Sequence, residues 1–262
     1  MRIALTRAVP PSIFTCELTH LARTPIDYAR AVAEHDEYER ALERLGCRVE
    51  RLPDTPDLPD SVFVEDTAIV LDTVAVIARS GAESRRSETA STAEALKRYR
   101  EIVFIKDPGV IDGGDVLRVG RRIFAGLSTR TSQEGIAQLR DAAARDGLTV
   151  IAVRVGQCLH LKSAVTTIDH QRPAVLLNPQ WIDRRIYDGC EIVEVDPQEA
   201  GAANVLLVGD TLLCAVEFPR TRERLEQHGF KAVTVPAGEL AKAEGGVTCG
   251  SIVFEIGVEA LL

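Results

Sequence analysis

One unit recurs along this chain, and the repetition limits what the chain can fold into. Polar or acidic residues open the unit, a short apolar strand follows, the chain turns into a second strand, and an Arg-bearing loop usually leads into a helix. The first copy opens at Glu65-Asp66, turns at Asp72-Thr73, returns through Val74 to Ala78 and reaches Arg85-Arg86. The second opens at Asp112-Gly113-Gly114-Asp115, turns near Gly120, returns through Ala125 and reaches Arg130, with a helical pattern from Gln133 to Ala144. The third opens at His160 and turns around His170 to Pro173; the fourth opens at Asn204, turns at Gly209-Asp210 and runs into an Arg/Glu-rich helix ending at Gly229. A fifth is cut short after Thr248-Cys249 and the strand Ser251 to Glu255. Its missing part is expected at the other chain end, in the strand Arg2 to Thr6 and the helix around Ala29 to Leu45, so that the two ends close one ring.

Openings spaced by about 40 to 50 residues suit blade-like modules around an axis. The fold class expected is α/β, with one catalytic domain over residues 1–262. In such a ring the equivalent ends of the first strands converge, which would bring Glu65, Asp66, Asp112, Asp115, His160, Asn204 and Cys249 to one central cavity. Five unrelated polar strand entries, of the kind ordinary turns supply, remain the alternative at this stage.

Hydrophobic residues at 45% and charged residues at 27% fit a globular protein with a sizeable core. A net charge of −8 argues against a nucleic-acid surface and favours a cationic small molecule as partner. No window approaches the roughly 18 apolar residues of a membrane span. Met1 to Thr6 lacks the basic, apolar and small-residue segments of a secretory signal, so a cytoplasmic protein is expected. The six cysteines form no CxxC pair and no dense framework, which predicts reduced thiols, with neither zinc nor disulfides.

Cys249 lies in Gly245-Gly246-Val247-Thr248-Cys249-Gly250-Ser251, where small residues leave backbone room for a ligand to reach the sulfur. A lone cysteine is usually a small core hydrophobe, and the other five fit that description. His160 opens an equivalent unit, and thiol chemistry needs a proton carrier within reach. His20, His35, His170 and His228 are expected to be solvated. Asp112 and Asp115 flank a glycine pair at a unit opening, so one of them could orient the histidine or simply serve a turn. Glu65 and Asp66 enter an apolar strand, where buried charge needs a cation. Arg85 and Arg130 hold matching loop positions and could grip a carboxylate by paired hydrogen bonds. Together these suit an amino acid with a cationic side chain.

Five motifs in order resemble the guanidino-group-modifying enzymes of the pentein superfamily, and within them the dimethylarginine dimethylaminohydrolases. They are Leu58-Pro59-Asp60-Ser61-Val62-Phe63-Val64-Glu65-Asp66, Gly81-Ala82-Glu83-Ser84-Arg85-Arg86, Asp112-Gly113-Gly114-Asp115-Val116-Leu117, Leu159-His160-Leu161-Lys162-Ser163 and Gly245-Gly246-Val247-Thr248-Cys249. The resemblance implies a five-bladed α/β propeller with its active site on the axis. It also implies hydrolysis of asymmetric dimethylarginine or monomethylarginine to citrulline and the methylated amine, without a cofactor or metal. It assigns Cys249 as nucleophile, His160 as general acid/base and Asp112 as the orienter of His160. Asp66, with Glu65 beside it, would hold the guanidinium. Asp60 would contact the α-amino end, Arg85 and Arg130 the carboxylate, and the backbone near Leu18 and Ala243 would complete the grip. A substrate-covering loop is expected between Ala8 and Pro25.

Alternatives within the superfamily are a deiminase or an amidinotransferase acting on another guanidine, and outside it a guanidine-binding module without turnover. Lys162 counts against the first group, whose members are expected to carry an acid two residues after the histidine. The presence of both Cys249 and His160 counts against the last. Nucleic acid and membrane are not expected partners, a small-molecule methylarginine is, and a homodimer is left open as the assembly.

Overall fold

In the second strand of every unit both faces are apolar, and period-2 alternation sends successive side chains into two different cores. Val74 and Val76 pack on one side with Ile123 and Ala125 of the next unit, while Ala75 and Ile77 pack on the other with Ile3 and Leu5. Phe124 and Val175 share a third core, Leu176 and Leu212 a fourth, and Leu213 and Ala4 a fifth. Each unit is therefore a wedge between two neighbours. Burying one such Val, Ile or Leu contributes about 1.5–3 kcal/mol, so no unit keeps its stability apart from the ring.

The protein is described here by a computed structural model covering residues 1–256. β1 (Arg2–Thr6) and β2 (Cys47–Arg51) pair in parallel, joined by α1 (Tyr28–Arg44). Asp27 caps α1 by accepting from Arg30 N at 3.1 Å, and Gly46, at φ +86°, ends it. The next unit is β3 (Ala68–Val70), β4 (Val74–Ile77), α2 (Thr89–Leu96) and β5 (Glu101–Phe104). Then follow β6 (Val116–Val119), β7 (Arg122–Leu127), α3 (Gln133–Ala144) and β8 (Thr149–Arg154), with Ser132 capping α3 through Gly135 N. The third unit has the single turn α4 (Leu161–Ala164), β9 (Val165–Asp169), β10 (Ala174–Leu177) and β11 (Glu191–Glu194). The fourth has β12 (Leu206–Val208), β13 (Thr211–Ala215), α5 (Pro219–Gln227) and β14 (Lys231–Val235). α6 (Gly238–Ala241) leads to β15 (Ile252–Glu255), which pairs antiparallel with β1.

All five sheets share one topology: an antiparallel hairpin, then a third strand parallel to the second. In the closing sheet β15 plays the first strand, β1 the second and β2 the third, so the chain ends complete one blade, as the truncated fifth repeat predicts. This is the five-bladed α/β propeller. First strands are neighbours around the axis, β6 beside β9, β9 beside β12 and β15 beside β3.

An axial cavity of about 1030 Å³ opens at the hairpin-turn ends of the first strands, past Asp72, Gly120, His170 and Asp210. Glu65, Gly113, Lys162 and Thr248 form its inner end. Among the described residues, no helix is long and apolar enough to cross a membrane. One expectation fails here. His35, read as solvated on a polar helix, is buried at 2% exposure, and burial pushes its pKa down. The charged residues of α1 are not all on its outer face: Glu34, His35 and Glu39 all turn inward.

Candidate active site

The unit openings are bonded to one another around the axis, but of the seven side chains expected to face one central cavity only Glu65 lines the axial cavity; Asp66, Asp112, Asp115, His160, Asn204 and Cys249 do not. Lys162 Nζ donates to Glu65 Oε1 at 2.7 Å and to Gly113 O at 3.2 Å. Thr248 Oγ1 donates to the other Glu65 oxygen at 2.6 Å. Asn204 Nδ2 donates to Lys162 O and Thr248 Oγ1, both at 3.1 Å, and Asn204 Oδ1 accepts from Thr248 N at 3.0 Å. One residue from each unit enters this ring of hydrogen bonds. Five independent turns would give no such closure.

The Cys249 segment rests on the ring. Glu65 N donates to Cys249 O at 3.2 Å, and Gly246 N donates to Cys249 Sγ at 3.3 Å. A Cβ on Gly246 would fall 2.4 Å from the Asn204 side chain, so the close approach that fixes this turn excludes any larger residue. Cys249 is half-buried, and burial followed by the Glu65 and Asp66 carboxylates pushes its thiol up to about 12. Cys16, Cys47, Cys158 and Cys214 are buried thiols, and Cys190 is partly exposed.

His160 precedes α4 and is 4% exposed. Its Nε2 lies 3.2 Å from Asp112 Oδ2 and its Nδ1 3.9 Å from Asp66 Oδ1. Burial opposes the imidazolium, but the Asp66, Asp112 and Asp115 carboxylates outweigh it and raise the pKa to about 9. At neutral pH the Nε2–H therefore donates to Asp112. A Cβ on Gly114 would sit 2.7 Å from His160 Nδ1 and 2.8 Å from Asp66 Oδ1, which explains the glycine pair better than a hairpin turn does. Asp112 is fully buried and accepts from Gly81 N at 3.2 Å. Asp115 is tied to Ser128 Oγ and Leu161 N, supporting His160 from below. Among the described residues, no hydrogen bond joins Cys249 Sγ to His160. The Asp66 carboxylate acts on both, raising the Cys249 thiol and favouring the His160 imidazolium.

Asp66 is buried and ionised. Burial opposes its charge, and His160 and Arg85 overcome that and lower its pKa. Its oxygens accept from Gly114 N at 2.9 Å and Arg85 Nη1 at 2.7 Å, leaving further lone pairs for a ligand cation. The Arg85 guanidinium is otherwise committed, to Glu88 and to the Asp60 and Phe63 carbonyls. The symmetry expected between the two arginines is therefore absent. Arg130, 7% exposed, has a buried Nη1 with no hydrogen-bond partner, 3.6 Å from Asp112 Oδ2. It is the arginine with a donor to spare. Glu65 is held as Asp66 is, with one hydrogen bond to each oxygen, from Lys162 and from Thr248.

Leu18 and Cys249 both pack against one apolar cluster that contains Phe63 and Ala243. Asp60 Oδ2 accepts from Glu17 N in that loop at 3.1 Å. Asp66, Asp112 and His160 carry ligand atoms within 4.8 Å of one another, a spacing a metal could use. Arg85 on Asp66 and Arg130 beside Asp112 already provide positive charge to those carboxylates, which favours an acid–base constellation.

The family profile for N,N dimethylarginine dimethylhydrolase, eukaryotic, matches residues 21–178. The N(G),N(G)-dimethylarginine dimethylaminohydrolase of Streptomyces coelicolor is 39% identical over 259 residues, covering 95% of each chain. This chain belongs to the dimethylarginine dimethylaminohydrolase family. The enzyme of that name from Pseudomonas aeruginosa is 34% identical, over 90% of this chain and 92% of that one. The solved structure of a mutant of the Pseudomonas aeruginosa family member, complexed with citrulline, superposes with a TM-score of 0.91 at 32% identity, covering 96% of this chain and 98% of that one. The N-terminal domain of ArgZ, a cyanobacterial arginine dihydrolase, shares the fold at a TM-score of 0.85 and 18% identity. The chain is an enzyme, a C–N hydrolase of this family's kind.

Glu88, Thr248 and Glu244 were not singled out by the sequence. Glu88 stands three residues after Arg85, a spacing that brings side chains together on one helical turn and could have revealed it. Thr248 precedes Cys249 and carries no signal beyond that.

Proposed function

We propose that the enzyme hydrolyses asymmetric dimethylarginine and monomethylarginine to citrulline and dimethylamine or methylamine. The observation that supports this most strongly is the buried grouping of His160, its partner Asp112 and an ionised Asp66 that keeps free lone pairs and whose charge acts on Cys249. The guanidinium N–H groups bind Asp66, Arg130 takes the α-carboxylate, and Asp60 with the backbone at Leu18 and Ala243 takes the α-amino group. Arg85 adds charge behind Asp66 and fixes its orientation.

In the reaction, the bound substrate cation drives the Cys249 thiol proton to solvent, and the thiolate attacks the guanidinium carbon, forming the C–S bond. His160, already protonated, gives its proton to the methylated nitrogen, and the C–N bond breaks to release the amine. A thiouronium remains on Cys249. Neutral His160 then takes one proton from water as its oxygen attacks the same carbon, the C–S bond breaks, the second water proton goes to the departing sulfur, and citrulline and the Cys249 thiol separate. Asp112 holds the imidazole for both steps, as an acid does in other nucleophile triads.

A dimethylated nitrogen has no N–H, so a free carboxylate facing it would be left without a donor, at a cost of about 1 to 3 kcal/mol or more. Position 162 carries no acid, and its lysine is held on Glu65. The test is a panel of asymmetric dimethylarginine, monomethylarginine, arginine and agmatine, read as ureido product and released amine. The methylated pair should lead in kcat/KM. A preference for arginine would instead make the enzyme a deiminase.

A further inference from the structure

Glu244 is the one non-glycine among the described residues with positive φ, at 60°. L-residues other than glycine, asparagine and aspartate rarely take this conformation. Two glycines follow it in the chain, yet the left-handed position itself carries a glutamate. The turn is held by Glu244 N donating to Ala241 O and Gly245 N donating to Leu240 O. The strained backbone aims the side chain at the covering loop. There the carboxylate accepts from three consecutive amides: Thr19 N at 3.1 Å, His20 N at 2.5 Å and Leu21 N at 2.6 Å.

The base of the loop is anchored separately, with Lys242 Nζ donating to Pro25 O and Asp27 N donating to Glu239. Nearer the tip, Glu17 N is held by Asp60, the group proposed for the substrate amine. Thr19, His20 and Leu21 are exposed, so water competes for their amides and the tip can release without disturbing the core. Leu18, immediately before them, packs into the cluster that contains Cys249.

We infer that Glu244 is a positioning residue, a latch that holds the 17–21 loop closed and so keeps Leu18 over the site. The inference rests on the proposed function only in assigning a consequence to closure. Glu244→Gly keeps the backbone conformation without strain and removes the carboxylate, while Glu244→Gln keeps one acceptor oxygen. In the glycine variant, hydrogen exchange at Thr19, His20 and Leu21, measured without substrate, should quicken about tenfold, with the β1 amides unchanged. KM for asymmetric dimethylarginine should rise about tenfold with kcat within about twofold, and the glutamine variant should recover part of both effects. Unchanged exchange in Glu244→Gly overturns the latch. Faster exchange with unchanged KM overturns its positioning role. If the wild type turns over no methylarginine, the functional reading fails, and the exchange experiment still decides whether the latch exists.

Discussion

Cys249 in the free enzyme is a thiol held far from its reactive form, and this can be tested by alkylation. Burial and the neighbouring Glu65 and Asp66 carboxylates push it up to about 12, whereas an ordinary cysteine titrates near about 8.5. At about pH 7.5 that leaves roughly one thiolate in thirty thousand, against about one in ten for an ordinary thiol. A cation bound to Asp66 about 4 Å from the sulfur contributes roughly 4 kcal/mol at an effective dielectric constant of 20, or about 3 pKa units. That returns the thiol toward the ordinary cysteine range, and the same cation offsets part of the Asp66 charge that raises His160. The assay compares inactivation by neutral iodoacetamide and by a cationic haloacetamidine from about pH 6 to pH 10, with the alkylated peptide identified by mass. The neutral reagent should gain about tenfold per pH unit without levelling off below about pH 9. Near pH 7.5 the cationic reagent should be favoured by about a hundredfold or more over its ratio with a free thiol. A plateau for the neutral reagent below pH 8 would mean a preformed thiolate and refute the reasoning.

Three further outcomes follow from the same geometry. Lys162→Met leaves Glu65 without its cation; the pair is 18% and 10% exposed, so the loss should be about 2–3 kcal/mol in denaturant unfolding, somewhat below that of a fully buried pair. Adding Glu65→Gln should restore part of it, and an unchanged unfolding midpoint in the single variant would count against the pair. Arg130→Ala should cost about 1.5–3 kcal/mol in kcat/KM for methylarginine and little for a guanidine lacking the carboxylate; equal losses on both would disprove the clamp. His160 has a folded pKa of about 9, raised above the ordinary value of about 6.5. Its contribution, on the order of 3 kcal/mol, is therefore complete below about pH 6.5 and lost as pH rises through about 9. The stability gap between wild type and His160→Gln should shrink between those limits, and a gap that widens would contradict the sign.

The repeat made the ring legible because strand, turn and strand are local patterns, and equivalence between units follows from spacing alone. The same logic brought Asp112, His160 and Cys249 to one place and explained why a truncated last unit needs Arg2–Thr6. Partners across units were not legible. Lys162 finds Glu65 across 97 positions of sequence, and nothing near either residue names the other. Arg85 and Arg130 look alike in their loops, but Glu88 and two carbonyls fill the donors of one and leave the other with a donor unsatisfied. Such differences depend on counting hydrogen-bond groups in three dimensions. Glu244 was hidden for a related reason: its strained backbone is set by the turn around it, and its partners lie more than two hundred residues away.

Charge around the axis links binding to chemistry. Six acidic side chains, Asp60, Glu65, Asp66, Glu88, Asp112 and Asp115, surround four basic ones, Arg85, Arg130, Lys162 and His160. An excess of acid attracts a guanidinium and, by the same field, keeps Cys249 protonated and unreactive toward neutral electrophiles. On the proposed reaction these two effects are one switch. Arrival of the substrate cation satisfies Asp66 and lowers the cost of the thiolate just where the electrophilic carbon lies. Conversion to a ureido group removes that cation, so Asp66 keeps only neutral N–H donors and the sulfur is driven back to the thiol. Product is thereby bound less favourably than substrate, without any contact built to expel it. Glu65 raises the thiol even with Lys162 bound to it, so the substrate cation works against two carboxylates at once, one that it touches and one that it does not.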